Sequence, residues 1–278
     1  MKEFLFVALF SLGITRLARL YNRNRVTILC YHGVTERTTR SSLDPFGLHV
    51  RRDRFLAQLD YLQRNYQVIS LREYLEAIHQ GRRLSQYSVI LTFDDGYRNF
   101  LTAAASRLSE RGMPVTIFLI TDLVRQDPHA FQRTRTWMSS DDETYLSWAE
   151  VQELEQDPNY EFGSHTCSHS KLPLLSLEEM DRQLRESYAV IALHVGKANG
   201  LPLAYPKGQY TGWIAQRAHA LGYGCALTTD AGCNDLNSDL FALRRVLIGD
   251  DDSVPAFSAR VSGLTSWLKG IFRNPFTA

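Results

Sequence analysis

Short apolar runs alternate with amphipathic segments along most of the chain. Between the apolar runs lie segments with apolar residues at helical spacing, at 54–65, 98–112, 146–156, 176–196 and 210–222. Because this alternation is typical of parallel strands joined by crossover helices, it predicts an α/β fold. About eight strands favour a single distorted (β/α) barrel of about seven to eight parallel strands over an open sheet. The predicted strands cover residues 26–32, 66–70, 88–93, 114–120, 160–164, 201–206, 223–228 and 244–248.

The composition of the chain excludes some classes of protein. The chain has 278 residues, of which 44% are hydrophobic and 22% are charged, as expected of one globular domain with a full core. Its formal net charge of +1 gives no overall field to attract nucleic acid, so we expect no nucleic-acid partner. Four cysteines without a CxxC pair are not the pattern of a disulfide scaffold and fit a reducing compartment better than an oxidising one.

The N-terminal segment, residues 1–25, differs from the rest. Its apolar run from Phe4 to Thr15 is too short to span a bilayer, no cleavage site of a signal peptide follows, and arginines come directly after it. This pattern predicts a helix at a membrane surface, with a first helix packed on the domain as the alternative. We therefore divide the chain into this segment, a catalytic domain at 26–270 and a tail at 271–278. The expected location is the cytoplasm or the cytoplasmic face of a membrane.

Two adjacent acids, Asp94 and Asp95, end the predicted strand at 88–93 and are followed by Gly96. In a barrel of this type the chemistry belongs at the carboxyl ends of the strands. Two neighbouring carboxylates are compatible there if a cation binds one of them and the other acts as a base. His165 and His169 follow another strand end, and imidazole and carboxylate are the ligands of a catalytic zinc-like site.

Three stretches resemble the signature motifs of a known family. "LTFDDGY", "GSHTCSHSKL" and "LAYPKGQY" are similar, in order and interval, to motifs of the polysaccharide deacetylases, the NodB-homology domains of carbohydrate esterase family 4. The resemblance extends from about residue 28 to about residue 267. It implies that Asp94 is the catalytic base and that Asp95, His165 and His169 hold a divalent metal ion. Zinc is the first expectation, with cobalt or nickel as alternatives.

Three further residues are candidates for the chemistry. The backbone N–H of Lys207, in the turn "YPKG", is expected to donate to the oxyanion, and Gly208 is expected to leave room for substrate. Arg245 stands in for an arginine that many family members carry near this motif, and we expect it to orient Asp94; the alternative is a surface salt bridge. The family's usual histidine acid is missing after the last strand, so His32, with a structural role as its alternative, is the expected proton donor.

The expected activity is metal-dependent removal of N-acetyl groups from amino sugars. The substrate would be an N-acetylated polysaccharide or a lipid-linked glycan, attacked by water that the metal activates and the aspartate deprotonates. Two alternatives remain open at this point. The same fold could remove O-acetyl or formyl groups, or the chain could bind carbohydrate with impaired catalysis, as the missing acid suggests.

Overall fold

The computed structural model describes residues 2–36, 47–124, 144–196 and 200–266. All eight predicted strands are present, with boundaries within three residues of the prediction. Two further strands, Gly33–Thr35 and His49–Arg51, form a small parallel sheet of their own. The strands are β1 (Thr27–Tyr31), β2 (Gly33–Thr35), β3 (His49–Arg51), β4 (Gln67–Val68), β5 (Ser88–Phe93), β6 (Val115–Leu119), β7 (Tyr160–Ser164), β8 (Pro202–Ala204), β9 (Cys225–Leu227) and β10 (Arg245–Leu247).

The main sheet is a nearly closed parallel barrel. Seven strands follow one another in the order β10-β1-β5-β6-β7-β8-β9, and the short β4 pairs with β5 outside this path. The two ends of the path approach each other through a parallel bridge between Leu227 and Leu243, where the N–H of Thr228 donates to the Leu243 carbonyl at 2.8 Å. The predicted barrel is thereby confirmed, and the carboxyl ends of its strands share one mouth.

Helices surround the barrel, and serine caps fix where several of them begin. Ser147 forms a complete capping box with Glu150, and the side chain of Ser176 accepts the N–H of Glu179 at 3.2 Å. The helices are α1 (Lys2–Ser11), α2 (Ile14–Tyr21), α3 (Arg52–Asn65), α4 (Leu71–Gln80), α5 (Ser106–Ser109), α6 (Trp148–Glu155), α7 (Leu177–Val195), α8 (Gly212–Ala220) and α9 (Val254–Val261). A π-helical stretch, Phe100–Ala105, leads into α5.

The core lies between the barrel and its helices. Every residue of β1, β5, β6 and β7 is buried, which explains why these strands are nearly continuous apolar runs in the sequence. The predicted N-terminal helix is two helices, α1 and α2, separated at Gly13, where the backbone has a φ of 74°. Residues 125–143 lie outside the described residues, as does the predicted tail at 271–278.

Candidate active site

The centre of the barrel mouth is a buried ion pair. Asp94 follows the last residue of β5 and is 2% exposed, whereas Arg245, the first residue of β10, is 0% exposed. The two guanidinium nitrogens Nη1 and Nη2 donate to Oδ1 and Oδ2 of Asp94 at 2.6 and 2.7 Å. Because Arg245 is fully buried, the alternative of a surface salt bridge does not hold. The bidentate geometry fixes the plane of the Asp94 carboxylate.

Electrostatics keep this carboxylate ionised. Burial by itself would raise the pKa of Asp94, but the charge and hydrogen bonds of Arg245, together with the nearby rings of His165 and His32, hold the pKa well below its usual range. The Cys30 thiol adds a third donor, since its Sγ lies 3.4 Å from Oδ2 of Asp94. Asp94 therefore enters any reaction deprotonated and held in one orientation.

Asp95, one residue further on, has the opposite environment. Burial and the neighbouring Asp94 charge raise the pKa of Asp95 to about 7, although the Tyr97 hydroxyl donates a hydrogen bond to its carboxylate. The buried Oδ1 atom of Asp95 has no hydrogen-bond partner among the described residues. An unpartnered carboxylate oxygen is costly inside a protein, and a bound cation would remove that cost.

The histidines direct ring nitrogens towards this oxygen. Nδ1 of His165 lies 2.7 Å from the Ala204 carbonyl oxygen, and this contact requires the proton on Nδ1 and leaves Nε2 with its lone pair. Burial lowers the pKa of His165 to about 3, so the ring is neutral near neutral pH. His169 is less enclosed, with 30% of its side chain exposed, and partial burial lowers its pKa as well.

These three residues fit a divalent metal ion. Nε2 of His165 and Nε2 of His169 lie 3.5 and 3.8 Å from Oδ1 of Asp95. Two ligands of a tetrahedral zinc ion, each ~2.1 Å from the metal, lie about 3.4 Å apart. One carboxylate and two neutral imidazoles also match the ligand types that zinc, cobalt and nickel accept. The structure thus brings together the three residues that the sequence predicted as ligands.

His32 lies beside the catalytic pair. Its ring, the Cys30 thiol and an Asp94 oxygen all offer ligand atoms within 4.8 Å of one another. Nδ1 of His32 is buried and has no hydrogen-bond partner among the described residues, and burial lowers the pKa of His32 to about 4. The strand that carries His32 therefore reaches the same mouth as Asp94, as the barrel prediction requires.

Lys207 occupies a tight turn at the end of β8. Its backbone is left-handed, with a φ of 56°, and its carbonyl accepts the Thr229 hydroxyl at 3.2 Å. A Cβ atom on Gly208, whose φ is 70°, would clash with Thr229. The glycine is therefore needed for packing against Thr229, and its expected role in leaving room for substrate stays a prediction. The role of the Lys207 N–H as an oxyanion donor stays a prediction.

Backbone strain is concentrated at this mouth. Five described residues other than glycine have a positive φ, and four of them belong to the site segments: Asp95, Thr166, His169 and Lys207. Such conformations cost of order 1–3 kcal/mol each and persist where the surrounding structure fixes them. The π-helical stretch that begins at Phe100 follows the aspartate pair, and this kind of distortion is also frequent at functional sites.

Sequence reasoning missed the residues that support these side chains. The thiol of Cys30, the hydroxyl of Tyr97 and the carbonyl of Ala204 each bond a predicted site residue. Cys30 precedes His32 by two residues and Tyr97 follows Asp95 by two, so their proximity to the site was the available signal. A backbone carbonyl such as that of Ala204 leaves no trace in the sequence.

Comparison with known proteins assigns the family. The family model described as polysaccharide deacetylase matches residues 81–226, just over half of the chain. The chain belongs to the polysaccharide deacetylase family. The matched part of this deacetylase contains Asp94, the three candidate metal ligands and Lys207, whereas His32 and Arg245 lie outside it.

Relatives agree with this assignment. The chain is 24% identical over 86% of its length to the provisionally named polysaccharide deacetylase YxkH of Bacillus subtilis, of which it covers 77%. It is 25% identical to the poly-β-1,6-N-acetyl-D-glucosamine N-deacetylase of Escherichia coli K12; that match covers 86% of this chain but only 38% of the longer relative.

Solved structures share the fold. The Streptococcus pyogenes deacetylase PplD superposes with a TM-score of 0.71 at 24% identity, with 86% of this chain and 99% of PplD covered. IcaB of Ammonifex degensii gives a TM-score of 0.68 at 23% identity, with 86% and 97% covered. The NodB-type barrel expected from the sequence motifs is thus the fold of the deacetylase.

Proposed function

We propose that this deacetylase removes N-acetyl groups from amino sugars of a polysaccharide or a lipid-linked glycan, with the help of a divalent metal ion. The observation that carries the proposal is the division of labour between adjacent acids. Asp94 is ionised and bound by Arg245, whereas Asp95 has a free buried oxygen that faces two neutral imidazoles. A base and a metal site side by side are the requirements for hydrolysis of an unactivated amide.

Asp95, His165 and His169 would hold the metal, with zinc as the first expectation. A divalent ion in this position supplies Lewis acidity, which lowers the pKa of a water molecule and polarises the acetyl carbonyl. The Ala204 carbonyl fixes the ring of His165, and Tyr97 holds the carboxylate of Asp95. These supporting hydrogen bonds keep two of the three ligand groups, those of His165 and Asp95, in place before any ion binds.

Asp94 would accept a proton from the attacking water. Its bidentate pair with Arg245 leaves the carboxylate little freedom, so its orientation towards the water is set in advance. As the oxygen of the acetyl group gains negative charge, the N–H of Lys207 would donate to it. Removal of one such donor typically costs about 10²–10³ in rate.

The departing amine needs a proton, and two residues could provide it. His32 is close to Asp94 and carries an unpartnered Nδ1, so it can receive a hydrogen bond or a proton within the site. Its lowered pKa means that it is neutral at rest and would act only after a proton reaches it during the reaction. Asp94 is the rival donor, because it already holds the proton taken from water.

The substrate class is supported by the comparisons. The Escherichia coli relative is named for N-deacetylation of poly-β-1,6-N-acetyl-D-glucosamine, and we extend this chemistry, though not that particular polymer, to the present chain. Removal of O-acetyl or formyl groups would use the same residues. A carbohydrate-binding protein without turnover would not need the buried Asp94–Arg245 pair.

One experiment separates these functions. The full chain is stripped with a chelator, reloaded with zinc, cobalt or nickel, and assayed for free amine and acetate from N-acetylglucosamine oligomers. We expect the activity to disappear on chelation and return with metal. His169→Ala should lose both metal and activity, whereas His79→Ala, on the exposed end of α4, should keep both. Acetate from O-acetylated sugars alone would favour the esterase, and metal binding without any product would favour the binding protein.

A further inference from the structure

The N-terminal helical pair, α1 and α2, is fixed against the barrel along one side. The side-chain hydroxyl of Ser253, the cap of α9, donates to Oε1 of Glu3 at 2.6 Å. Nη1 of Arg19 donates to both the backbone carbonyl and the side-chain oxygen of Asn65, each at 2.8 Å. The guanidinium of Arg19 also lies over the rings of Tyr66 and Tyr87. The pair therefore has a definite orientation, and its other side faces outward.

That outward side is apolar. Phe4 is 82% exposed and Leu12 is 75% exposed, and eight of the fourteen large exposed apolar side chains of the described residues belong to this pair. Soluble monomers rarely leave so many neighbouring apolar side chains in water, so the surface calls for a partner. The eight are Phe4, Leu5, Val7, Phe10, Leu12, Leu17, Leu20 and Tyr21.

Apart from Glu3, whose carboxylate accepts a hydrogen bond from Ser253, the charged side chains of the helical pair are positive. From Phe4 to Thr35 the sequence contains no Asp or Glu, whereas it contains four arginines. Three of them, Arg16, Arg23 and Arg25, are exposed. A partner that covers the apolar surface therefore meets positive charge at its edge, and a negatively charged partner is favoured.

A cleft beside the pair adds a place for an anion. Its volume is about 720 Å³, and Arg16, Arg19 and Arg64 are among the residues that line it, between the helical pair and α3. The guanidinium groups of Arg16 and Arg64 have no hydrogen bond or ion pair with any described residue. The acid in the lining, Asp60, is already paired with Arg111 at 3.0 Å. Two uncompensated guanidinium groups at a cleft match the charge of a phosphate headgroup.

We propose that the N-terminal helical pair binds the surface of an anionic phospholipid bilayer. The exposed apolar side chains would enter the boundary between headgroups and acyl chains, and Arg16 and Arg64 would contact lipid phosphates in the cleft. No single helix of the described chain is long and apolar enough to cross a membrane. The two helices meet that test only together, and a bend of 73° separates them. A bent pair fixed to the barrel suits attachment parallel to the surface.

Sedimentation of the full chain with vesicles tests this proposal. Phosphatidylcholine vesicles with phosphatidylglycerol should bind the protein, pure phosphatidylcholine vesicles should bind it much more weakly, and added salt should weaken the binding. The double variant Leu12→Glu with Leu17→Glu should lose at least tenfold in binding. Leu193→Glu is the matched control, because Leu193 is 80% exposed on α7.

The arginines are tested in the same assay. The double variant Arg16→Gln with Arg64→Gln should bind anionic vesicles about 30-fold more weakly, since each cation near such a surface is worth about a factor of five. Arg82→Gln with Arg83→Gln, in the exposed turn after α4, is the matched control and should bind normally. Hydrolysis of water-soluble N-acetylglucosamine oligomers should be unchanged in all four variants, so the outcome is independent of the proposed deacetylation.

Four results would overturn the proposal. The first is equal binding to neutral and anionic vesicles, and the second is unchanged binding of the Leu12 and Leu17 double variant. The third is protein that only detergent removes from the vesicles, which would make the pair an embedded anchor. The fourth is a dimer in light scattering that the leucine variant dissociates, which would make a second copy of the chain the partner of this surface.

Discussion

The barrel mouth and the N-terminal helical pair both invert the usual distribution of side chains. The mouth buries charge, with Arg245 at 0% and Asp94 at 2% exposure, whereas the helical pair exposes Phe4 at 82%. Charged residues are seldom fully buried, and clustered apolar residues seldom face water. Each region therefore departs from the ordinary pattern in the opposite direction.

The two regions differ in how far the chain itself supplies partners for the buried charges and cover for the exposed apolar side chains. Asp94 and Arg245 satisfy each other through two hydrogen bonds, while Oδ1 of Asp95 is left without a partner. At the helical pair, apolar side chains such as Phe4 and Leu12 remain mostly exposed. For each region we propose a partner that would compensate the rest: a divalent cation at the mouth and an anionic lipid surface at the helices.

Loss of the proposed base, Asp94, should have the largest effect on kcat of all the changes considered. Asp94→Asn keeps the shape of the side chain but removes the proton acceptor, so kcat for amide hydrolysis should fall by about 10⁴. Release of free amine by the zinc-loaded variant measures the loss. Asp53→Asn, an exposed carboxylate on α3, should leave kcat unchanged. A near-normal kcat for Asp94→Asn would mean that the roles of the two acids must be exchanged.

The proton donor should have the next largest effect. If His32 protonates the departing amine, His32→Gln should lower amide hydrolysis by about 10², whereas hydrolysis of an aryl acetate ester, whose leaving group needs no proton, should change little. The test compares kcat on the two substrates, and the metal content of each protein is measured in parallel. Equal losses on both substrates would leave Asp94 to perform both proton transfers.

Removal of the buried guanidinium of Arg245 should lower both the stability of the fold and kcat. Arg245→Gln leaves the Asp94 carboxylate buried without its cation, which typically costs 3–5 kcal/mol of stability, and we expect about 10–100-fold in kcat. Denaturant unfolding and amine release measure the two losses. Arg244→Gln, next in sequence but exposed, should change neither. If the two arginine variants behaved alike, the buried pair would have no role in orienting the base.

The smallest expected effect concerns acid stability. Burial lowers the pKa of His32 to about 4, below its ordinary value of about 6.5. Between these pH values the unfolded chain takes up a proton that the folded chain does not, so stability should fall as the pH is lowered from 6.5 towards 4. In metal-free protein, His32→Gln should reduce the drop in Tm between pH 7 and pH 5 by roughly 2–4 °C. An unchanged drop, equal to that of a His79→Gln control, would contradict the account.

The barrel and the convergence of the site could be predicted because both depend on periodic patterns. Buried parallel strands are nearly continuous apolar runs, and their carboxyl ends meet at one mouth, so residues as distant as Asp94 and His165 could be placed together. Arg245 begins β10, and only the family resemblance indicated that its side chain reaches Asp94. The short strands β2 and β3 have three residues each, too few for a period to be recognised. Helix α9 was also missed, because most of its residues are buried and it lacks a polar face.

The electrostatic differences within the site could not be predicted in the same way. Asp94 and Asp95 are the same residue type at adjacent positions, and only three-dimensional contacts lower the pKa of one and raise the pKa of the other. The break between α1 and α2 at Gly13 could not be predicted from the sequence either. The sequence predicted one apolar helix at a membrane surface, but the bend that prevents a straight span depends on the left-handed backbone at that glycine.

The division of labour between the two acids is the central claim, and bound zinc per chain tests it most directly. Asp94→Asn and Asp95→Asn are isosteric changes at neighbouring positions, and zinc content is measured on both after identical loading and dialysis. The account predicts that Asp94→Asn retains zinc at the level of the unaltered protein, whereas Asp95→Asn loses most of it. Zinc retained by Asp95→Asn and lost by Asp94→Asn would contradict the assignment of base and ligand.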